Sequence, residues 1–478
     1  MFLPLELTVL YILHAQLVRS QQTALQLTLN SLHTFNASSL PKVPSFALPS
    51  SSSELSVSVA LCSAEATPPR FFVTNDSSIS DPSADDLGNV DVFEISLDDG
   101  SGSWTGAVPN GGYFAVSNAG QTPFEVGVSD GGPMHQLLDN LPLLGDTTLN
   151  EVLLFSPPFS PSPPVDPPTY PNYTLPAANT SFPVGPTTPP NVTLYVSPTS
   201  ASSLVTMPRT GCAMRASNVA GSFNLGANKS EGIWLRDASE GWRWQWLVGG
   251  LTPLTNYTVY AIVDETKVSE PINFVTKSAS FVCPIVHSLP YCPTVNYAVP
   301  IAPPPFPFTA HATNTLPNTV VDPLLQVLTN FTVSLTTFAC GRDQYSPLVS
   351  CADCQQAYRN WLCAVWFPRC SEAAPESGSD SQKPMSALQA QAPSATPRSP
   401  GLSPISSSYD VLLPCLETCT AADRACPNFL GFKCPITRFN AADSYGVGYV
   451  DSGADGVQGG GIAGTAQDRY GNVWCNQT

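Results

Sequence analysis

The chain has 478 residues, with 19 basic and 36 acidic side chains, a net charge of -17, 49 prolines and 14 cysteines. This acidic balance argues against nucleic acid and against anionic lipid headgroups as partners, because both carry negative charge. The length accommodates two or three domains.

The N-terminus carries an apolar stretch at residues 7–13, followed by small and polar residues near Ser20. This pattern predicts a secretory signal peptide over residues 1–20, although a basic leading region is missing. The alternative is a signal anchor, which would need about 20 apolar residues, and the stretch is much shorter.

Nine sequons of the form N-x-S/T are expected to carry N-glycans in a chain that enters the secretory pathway. They are Asn36, Asn75, Asn172, Asn179, Asn191, Asn228, Asn256, Asn330 and Asn476.

Residues 21–155 are predicted to form a β-sandwich domain. Apolar residues alternate with polar ones at Leu55, Val57, Val59 and Leu61, and Gly-, Asp- and Asn-rich turns follow at short intervals. Residues 156–190 are rich in Pro, Ser and Thr, which favours a stiff extended linker between domains.

Residues 191–282 are predicted to form a second β-sandwich. The segment LTPLTNYTV at residues 251–259 resembles a fibronectin type III strand with its tyrosine corner, in which the Tyr257 hydroxyl would bond back to the preceding turn. The sequon Asn256 should then face solvent. A generic sandwich of another topology is the alternative.

Four cysteines precede the C-terminal third. Cys62 and Cys212 lie one in each β region, and the sequence leaves open whether they pair. Cys283 and Cys292 are expected to bridge locally because they are close in the chain. Residues 283–334 are assigned as a connector.

The other ten cysteines define a cysteine-rich domain over residues 335–478, with a disordered insertion predicted at 371–410. Its first helix is indicated by an apolar stripe that includes Cys354, Tyr358 and Trp361, with Ser350 and Asp353 as a capping box. A second helix is expected over about residues 412–424, with Pro414 in its first turn. The domain is therefore predicted to be a small, mainly helical bundle.

The spacing Cys351-x-x-Cys354 could instead mark a redox pair or half of a zinc site. Disulfides are favoured, because none of the five histidines lies in this domain and the secretory lumen is oxidising. All of the cysteines are expected to be in disulfides: Cys62, Cys212, Cys283, Cys292, Cys340, Cys351, Cys354, Cys363, Cys370, Cys415, Cys419, Cys426, Cys434 and Cys475.

The run FACGRDQYSPLVSCADCQQAYRNWLCAVWFPRC, residues 338–370, resembles the cysteine-rich segment of the fungal stretch-activated calcium channel component family. A related module occurs in the auxiliary subunit of the animal sodium leak channel. Together these patterns predict a multidomain chain with N-terminal β-sandwich regions, the second fibronectin type III-like, and a C-terminal disulfide-rich, mainly helical domain that resembles a Frizzled-like fold.

The same resemblance implies a non-catalytic, glycosylated subunit that promotes calcium influx in response to stretch, stress or pheromone. It would act in the endoplasmic reticulum and at the extracellular face of the plasma membrane. Its partner would be a four-repeat voltage-gated-type calcium channel pore subunit, through which it would associate with the membrane. No cofactor or metal is implied. The candidate partner contacts are Arg342, Asp353, Arg359 and Arg369.

Two other classes of function compete with the subunit interpretation. A secreted or wall-associated lipid-binding glycoprotein would need an apolar groove, which Trp366 and Phe367 could line. A hydrolase would need a catalytic set, and the pattern at Gly127–Gly131, centred on Ser129, matches G-x-S-x-G only in sequence. Its β-rich surroundings favour a turn at the end of a strand. The glycines Gly459, Gly461 and Gly464 are interpreted as a flexible loop.

Overall fold

The structure is a computed structural model that describes residues 25–64, 67–161, 169–180, 184–201, 204, 206–217, 223–224, 229–237, 240–372, 388–436, 440–441, 444–446 and 475–476. The predicted signal peptide, the sequon Asn228 and the glycine motif at 459–464 lie outside these residues. Within the described ranges, no helix combines the length and the apolar character needed to cross a bilayer.

Most of the regular structure is β. The strands β1 to β24 are, in chain order, Leu25–Gln26, Ser31–Phe35, Ser45–Leu48, Ser51–Leu61, Arg70–Thr74, Val92–Ile95, Ser101–Val108, Gly112–Ser117, Phe124–Ser129, Gln136–Leu138, Leu143–Thr147, Glu151–Phe155, Val192–Pro198, Phe223–Asn224, Lys229–Trp234, Arg243–Gly249, Asn256–Val263, Lys267–Ser269, Ile272–Val275, Ile285–Val286, Tyr297–Ala298, Arg369–Ser371, Leu388–Gln391 and Tyr409–Leu412. The α-helices α1 to α4 are Gly211–Ala216, Asn318–Leu335, Cys351–Trp366 and Leu416–Ala425.

The chain forms two compact units. The first comprises the described residues up to 137 together with 206–217 and 266–268, and the second comprises the remaining described residues.

The first unit is a β-sandwich. One sheet has the strand order β1-β3-β8-β5-β6 and the other has the order β2-β9-β4-β7. The alternating Leu55, Val57 and Val59 of β4 point into the core between the sheets, where they join Phe114 and Phe124. The predicted inward set is therefore confirmed, and the period of two appears in the type of side chain, since Ser56, Ser58 and Ala60 on the other face are buried as well.

A disulfide between Cys62 and Cys212 lies within this first unit and joins the end of β4 to α1. Thr210 caps α1, and its Oγ1 accepts a hydrogen bond from the N–H of Ala213 at 3.2 Å. The pairing that the sequence left open is thus formed. It lies inside one unit because residues 206–217 pack on the first sandwich.

The second unit contains another sandwich. One sheet contains β13 paired with β14 and β17, and β19 on the other side of β17. The opposing sheet has the order β11-β12-β16-β15. The strands β11 and β12 fall within the predicted first β domain, but β12 pairs with β16 of the second sandwich and β11 pairs with β12, because an alternating pattern does not specify a partner strand.

The tyrosine corner predicted in the second sandwich is present as a hydrogen bond. The hydroxyl of Tyr257 accepts from the N–H of Thr252 at 3.0 Å. The Asn256 side chain is exposed, as expected for a glycan acceptor. The fibronectin type III topology itself stays a prediction.

The proline-rich segment 156–190 is not a free spacer over its described residues. The amide of Gln355 on α3 donates to the carbonyl of Pro176 at 2.9 Å, and Ala178 is buried in the core of the cysteine-rich module. Proline lacks an N–H, so an extended proline-rich backbone leaves its carbonyls free to accept bonds from neighbouring side chains.

The connector 283–334 is also structured. The strands β20 and β21 pair with each other, and Leu153 and Phe155 of β12 pack on Ile285. The helix α2 follows and buries Val320, Leu324 and Leu328 against α3. This helix was missed, although its apolar residues recur at i, i+4 and i+8.

Part of the predicted disordered insertion is ordered. Residues 388–391 form β23, which pairs with β24, and Leu402 is buried in the module core. Gly401 lies against the Trp366 indole, where a Cβ would come within 2.6 Å of a ring carbon. The prediction of disorder over 371–410 is therefore wrong for residues 388–410, because composition alone does not show that β24 offers a free edge. Residues 373–387 lie outside the described residues.

The stability of the second unit should depend on pH through His287. Burial, and then the proximity of His311, lowers the pKa of His287 from 6.5 to about 4. The unfolded chain therefore binds a proton between pH 6.5 and about 4 that the folded chain does not bind, so stability falls as pH drops through this window. We expect a loss of about 2 kcal/mol, given that the side chain is only partly buried.

Thermal unfolding between pH 7 and pH 4 checks this expectation. The variant His287→Gln should show a shallower decline of Tm than the wild-type chain. Equal slopes for the wild type and His287→Gln would contradict the assignment.

Candidate docking surface of the cysteine-rich module

The helix α3 begins at the predicted capping box. The N–H of Ser350 donates to Oδ2 of Asp353 at 2.7 Å, and the N–H of Asp353 donates to the Ser350 hydroxyl at 3.4 Å. The helix ends at Trp366, shortly before Pro368. Its predicted course is confirmed, because capping and periodicity are local signals.

The helix α4 begins later than predicted. It starts at Leu416 with Cys415 as its N-cap, and Pro414 forms a bridge with Asn476 instead of occupying the first helical turn. It ends at Ala425, just before Cys426 and Pro427. The cause of the error is the pairing of Pro414 with a residue far along the chain, which no local pattern encodes.

All fourteen cysteines are paired. The pairs are Cys62–Cys212, Cys283–Cys370, Cys292–Cys363, Cys340–Cys351, Cys354–Cys426, Cys415–Cys475 and Cys419–Cys434.

The local bridge expected between Cys283 and Cys292 is wrong. Cys292 is buried in the module core beside Cys363, whereas Cys283 lies in a separate apolar cluster beside Cys370. The two neighbours in sequence therefore connect to different elements, α3 and β22.

The C-x-x-C spacing is not a redox pair. Cys351 forms a disulfide with Cys340, 11 residues earlier in the chain, and Cys354 forms one with Cys426, just beyond α4. The spacing places the two thiols on the same side of α3, so each can bridge to a different neighbour.

One exposed surface of the module combines a disulfide-closed loop with aromatic side chains. We call residues 341–350, closed by Cys340–Cys351, the docking loop; its Leu348 is 89% exposed. Next to it, the Phe338 ring lies 5.6 Å from the Tyr345 ring and 6.1 Å from that of Phe429, which is 54% exposed. Apolar groups this exposed on a stapled loop are typical of a protein-binding surface.

The docking loop is held firmly in place. The Tyr345 hydroxyl lies 2.6 Å from the carbonyl of Ser350 and 2.7 Å from that of Ala425, so it donates to one of them at a time. Burial, followed by the charge of Asp353, raises the pKa of Tyr345 to about 12. The hydroxyl therefore stays protonated at physiological pH and keeps the loop on α3 and α4.

Two of the four predicted partner contacts border this surface. A cavity of about 330 Å³ is lined by Arg342, Asp343, Tyr345, Leu348 and Asp353, among others. Arg342 is exposed and pairs with Asp343 at 2.8 Å. Asp353 is exposed, but its Oδ2 already accepts hydrogen bonds from Ser350 at the helix cap. Its carboxylate therefore has fewer acceptor positions left for a partner protein.

The other two predicted contacts are wrong, because both side chains are occupied by partners within the second unit. Arg359 is buried and donates to the carbonyl of Tyr291 at 3.1 Å. Arg369 pairs with the buried Asp146 at 2.9 Å and lies over the Tyr297 ring. Charge alone predicted exposure for these residues, whereas Leu348 and Phe429 were missed. The one feature of the sequence that distinguishes Leu348 and Phe429 is that each is an apolar residue within a polar loop.

The sequons differ in exposure. Asn75 is partly buried. Asn476 is completely buried, and its Nδ2 donates to the Tyr297 hydroxyl at 3.0 Å. A glycan at Asn476 would displace that bond, so the structure argues against this site. The exposed sequons are Asn36, Asn172, Asn179, Asn191, Asn256 and Asn330.

The hydrolase motif is a turn, as predicted. Ser129 ends β9, and its hydroxyl accepts from the N–H of Gly131 at 3.0 Å. Elsewhere in the first unit, Ser58 lies 3.1 Å from Nδ1 of His135, whose Nε2 is 3.6 Å from Glu125. This resembles a catalytic triad in composition, but Ser58 is completely buried, so its hydroxyl does not face solvent.

The sequence profile of a family described as a stretch-activated Ca²⁺-permeable channel component matches residues 55–458. This range contains most of the first sandwich, the whole of the second and most of the cysteine-rich module.

Three fungal proteins are similar in sequence. The stretch-activated cation channel MID1 of Cryptococcus neoformans var. grubii is 37% identical over 392 residues, which cover 75% of this chain and 62% of that protein. The stretch-activated cation channel yam8 of Schizosaccharomyces pombe is 29% identical over 45% of this chain and 44% of its own length. The stretch-activated cation channel MID1 of Saccharomyces cerevisiae is 30% identical over 34% of this chain and 28% of its own length. The chain thus matches less than two thirds of each relative, and it belongs to the family of stretch-activated Ca²⁺-permeable channel components.

Proposed function

We propose that this chain is a non-catalytic, glycosylated extracellular subunit of a plasma-membrane calcium-permeable channel. Its docking loop and the adjoining aromatic side chains would bind the extracellular face of a four-repeat pore subunit. Binding only the assembled pore would stabilise that state, which promotes calcium influx. The subunit would reach the membrane through this partner after passing through the endoplasmic reticulum.

The exposed Leu348 on a loop closed by Cys340–Cys351 carries this proposal. Such a loop loses little conformational freedom on binding, because the disulfide and the Tyr345 hydroxyl already hold it. Arg342 beside it could form a charge-assisted pair with an acidic segment of the partner. Family membership supports a channel as the assembly in which this surface is used.

The lipid-binding alternative receives no support from the residues that were expected to form its groove. Trp366 and Phe367 are both buried, and the Trp366 indole N–H donates to the carbonyl of Val320 at 3.1 Å. These side chains hold α2 and α3 together instead of lining an open groove.

The double variant Leu348→Ser/Phe429→Ser tests the proposed surface. Burial of one large apolar side chain contributes roughly 1.5–3 kcal/mol, so losing both should lower recovery of the pore subunit by about tenfold or more. The ratio of partner to tagged chain, purified in mild detergent from native membranes, measures the effect.

The matched control is Val90→Ser, which removes an exposed apolar side chain from the first sandwich. It should leave partner recovery unchanged, and all three proteins should share one Tm because the altered side chains are exposed. Full recovery of the partner with the double variant would show that docking uses another surface.

A further inference from the structure

A second exposed apolar feature lies away from the docking loop in sequence. Residues 302–309, APPPFPFT, form what we call the proline loop. Its Phe306 side chain is 97% exposed and Phe308 is 50% exposed. Fully exposed phenylalanines are costly in water and mark interaction sites when they occur together.

The exposure does not arise from a loose chain. The buried His311 lies at the base of the loop, with Nε2 2.8 Å from the carbonyl of Ala302 and Nδ1 3.2 Å from that of Thr315. Its backbone N–H donates to the carbonyl of Ile285 at 2.8 Å. The loop is thus fixed at both ends, and the aromatic side chains are held outward.

The loop backbone has few hydrogen-bond donors. Four of its residues are prolines, at 303, 304, 305 and 307, and have no N–H. The N–H of Phe308 already donates to the carbonyl of Pro305 at 3.0 Å. Few N–H donors would therefore lose their water if the tip of the loop were covered, whereas the loop carbonyls still need water or polar headgroups as partners.

The surrounding sequence is electrically neutral. Residues 278–321 contain no Asp, Glu, Lys or Arg, although the whole chain has a net charge of -17. No N-x-S/T sequon occurs between Asn256 and Asn330. This stretch therefore carries neither a formal charge nor a glycan acceptor that would have to approach an apolar phase.

We infer that the proline loop inserts Phe306 and Phe308 into the boundary between headgroups and acyl chains of a neutral bilayer leaflet. At this depth water and polar headgroups still reach the loop carbonyls, so only the aromatic side chains leave water, and no charged side chain of residues 278–321 has to follow them. An insertion this small gives weak, reversible binding, as single apolar anchors do. The inference does not depend on the proposed docking to a pore subunit.

Flotation of the full-length secreted chain with phosphatidylcholine vesicles, at millimolar lipid, tests the inference. The double variant Phe306→Ser/Phe308→Ser should have a vesicle partition coefficient at least about tenfold lower than that of the wild type. The control Leu348→Ser, which removes an equally exposed side chain from the docking loop, should partition like the wild type. Replacing part of the lipid with phosphatidylserine should weaken wild-type binding, and added salt should restore it, because the chain is acidic.

Two results would overturn the inference. The first is a vesicle assay in which the two phenylalanines make no difference. Either the wild type does not bind neutral vesicles, or the wild type and the Phe306→Ser/Phe308→Ser variant bind them equally. The other is a variant that binds vesicles normally but loses a co-purifying protein, which would assign the loop to a protein pocket instead. Tm and near-ultraviolet circular dichroism confirm that each variant is folded.

Discussion

Replacing Cys363 by alanine is expected to lower the free energy of unfolding of the cysteine-rich module by about 4 kcal/mol. The bond from Cys363 to Cys292 spans a sequence separation of 71 residues and connects α3 to the segment that follows β20. Both side chains are completely buried, so the variant also leaves a small cavity and an unpaired thiol in the core. We expect a large fall in secreted yield and in the denaturant midpoint.

The same variant tests the pairing. Thiol labelling followed by peptide mass spectrometry should find Cys292 as the free cysteine. Labelling of another cysteine in place of Cys292 would contradict the assigned connectivity. The control is the double variant Cys62→Ala/Cys212→Ala, which removes a disulfide of the first unit and should leave the module's own disulfides intact.

Replacing Asp146 by alanine is expected to cost the second unit about 3–5 kcal/mol, because it leaves a largely buried arginine without its counter-charge. The Asp146 side chain is only 3% exposed, and its Oδ2 accepts from Nε of Arg369 at 2.9 Å and from the N–H of Ala298 at 3.1 Å. Its Oδ1 accepts from the N–H of Thr147 at 2.8 Å. One carboxylate thus ties β11 of the sandwich to β21 of the connector and to β22 of the cysteine-rich module.

Denaturant unfolding of Asp146→Ala, Arg369→Met and the double variant measures this cost. The double variant should be more stable than Asp146→Ala, since it removes the unpaired charge. The exposed pair of Arg342 and Asp343 provides the comparison, and Asp343→Ala should cost at most about 1 kcal/mol. Additive effects of Asp146→Ala and Arg369→Met would contradict a direct ion pair.

Local patterns predicted much of the secondary structure. The alternation in β4 and the capping box of α3 depend on residues within a few positions of one another, so the sequence displays them directly. The disulfide partners, the ordered residues 388–410 and the pairing of β11 and β12 depend on contacts between distant segments. A pattern along the chain contains no distances between such segments, which is why these predictions were wrong or absent.

The candidate site was predicted only at the level of the module. The cysteine run pointed to the correct part of the chain, but a charge-based choice of contacts failed for Arg359 and Arg369, whose long apolar stems allow them to be buried with a paired head. Leu348 and Phe429 emerged only from the structure, because an apolar residue in a loop gives no sign of its exposure.

Cross-linking of the complex purified in mild detergent is the most direct test of the central claim, docking by the cysteine-rich module. Lys433, four residues after Phe429 in the chain, and Lys42, in the first sandwich, are both exposed and offer reactive amines for the comparison. Stoichiometric recovery of a pore-forming cation-channel protein, with cross-links from its extracellular segments to Lys433 and none to Lys42, is the predicted result. Recovery of the chain as a soluble monomer, or cross-links confined to Lys42, would contradict the claim.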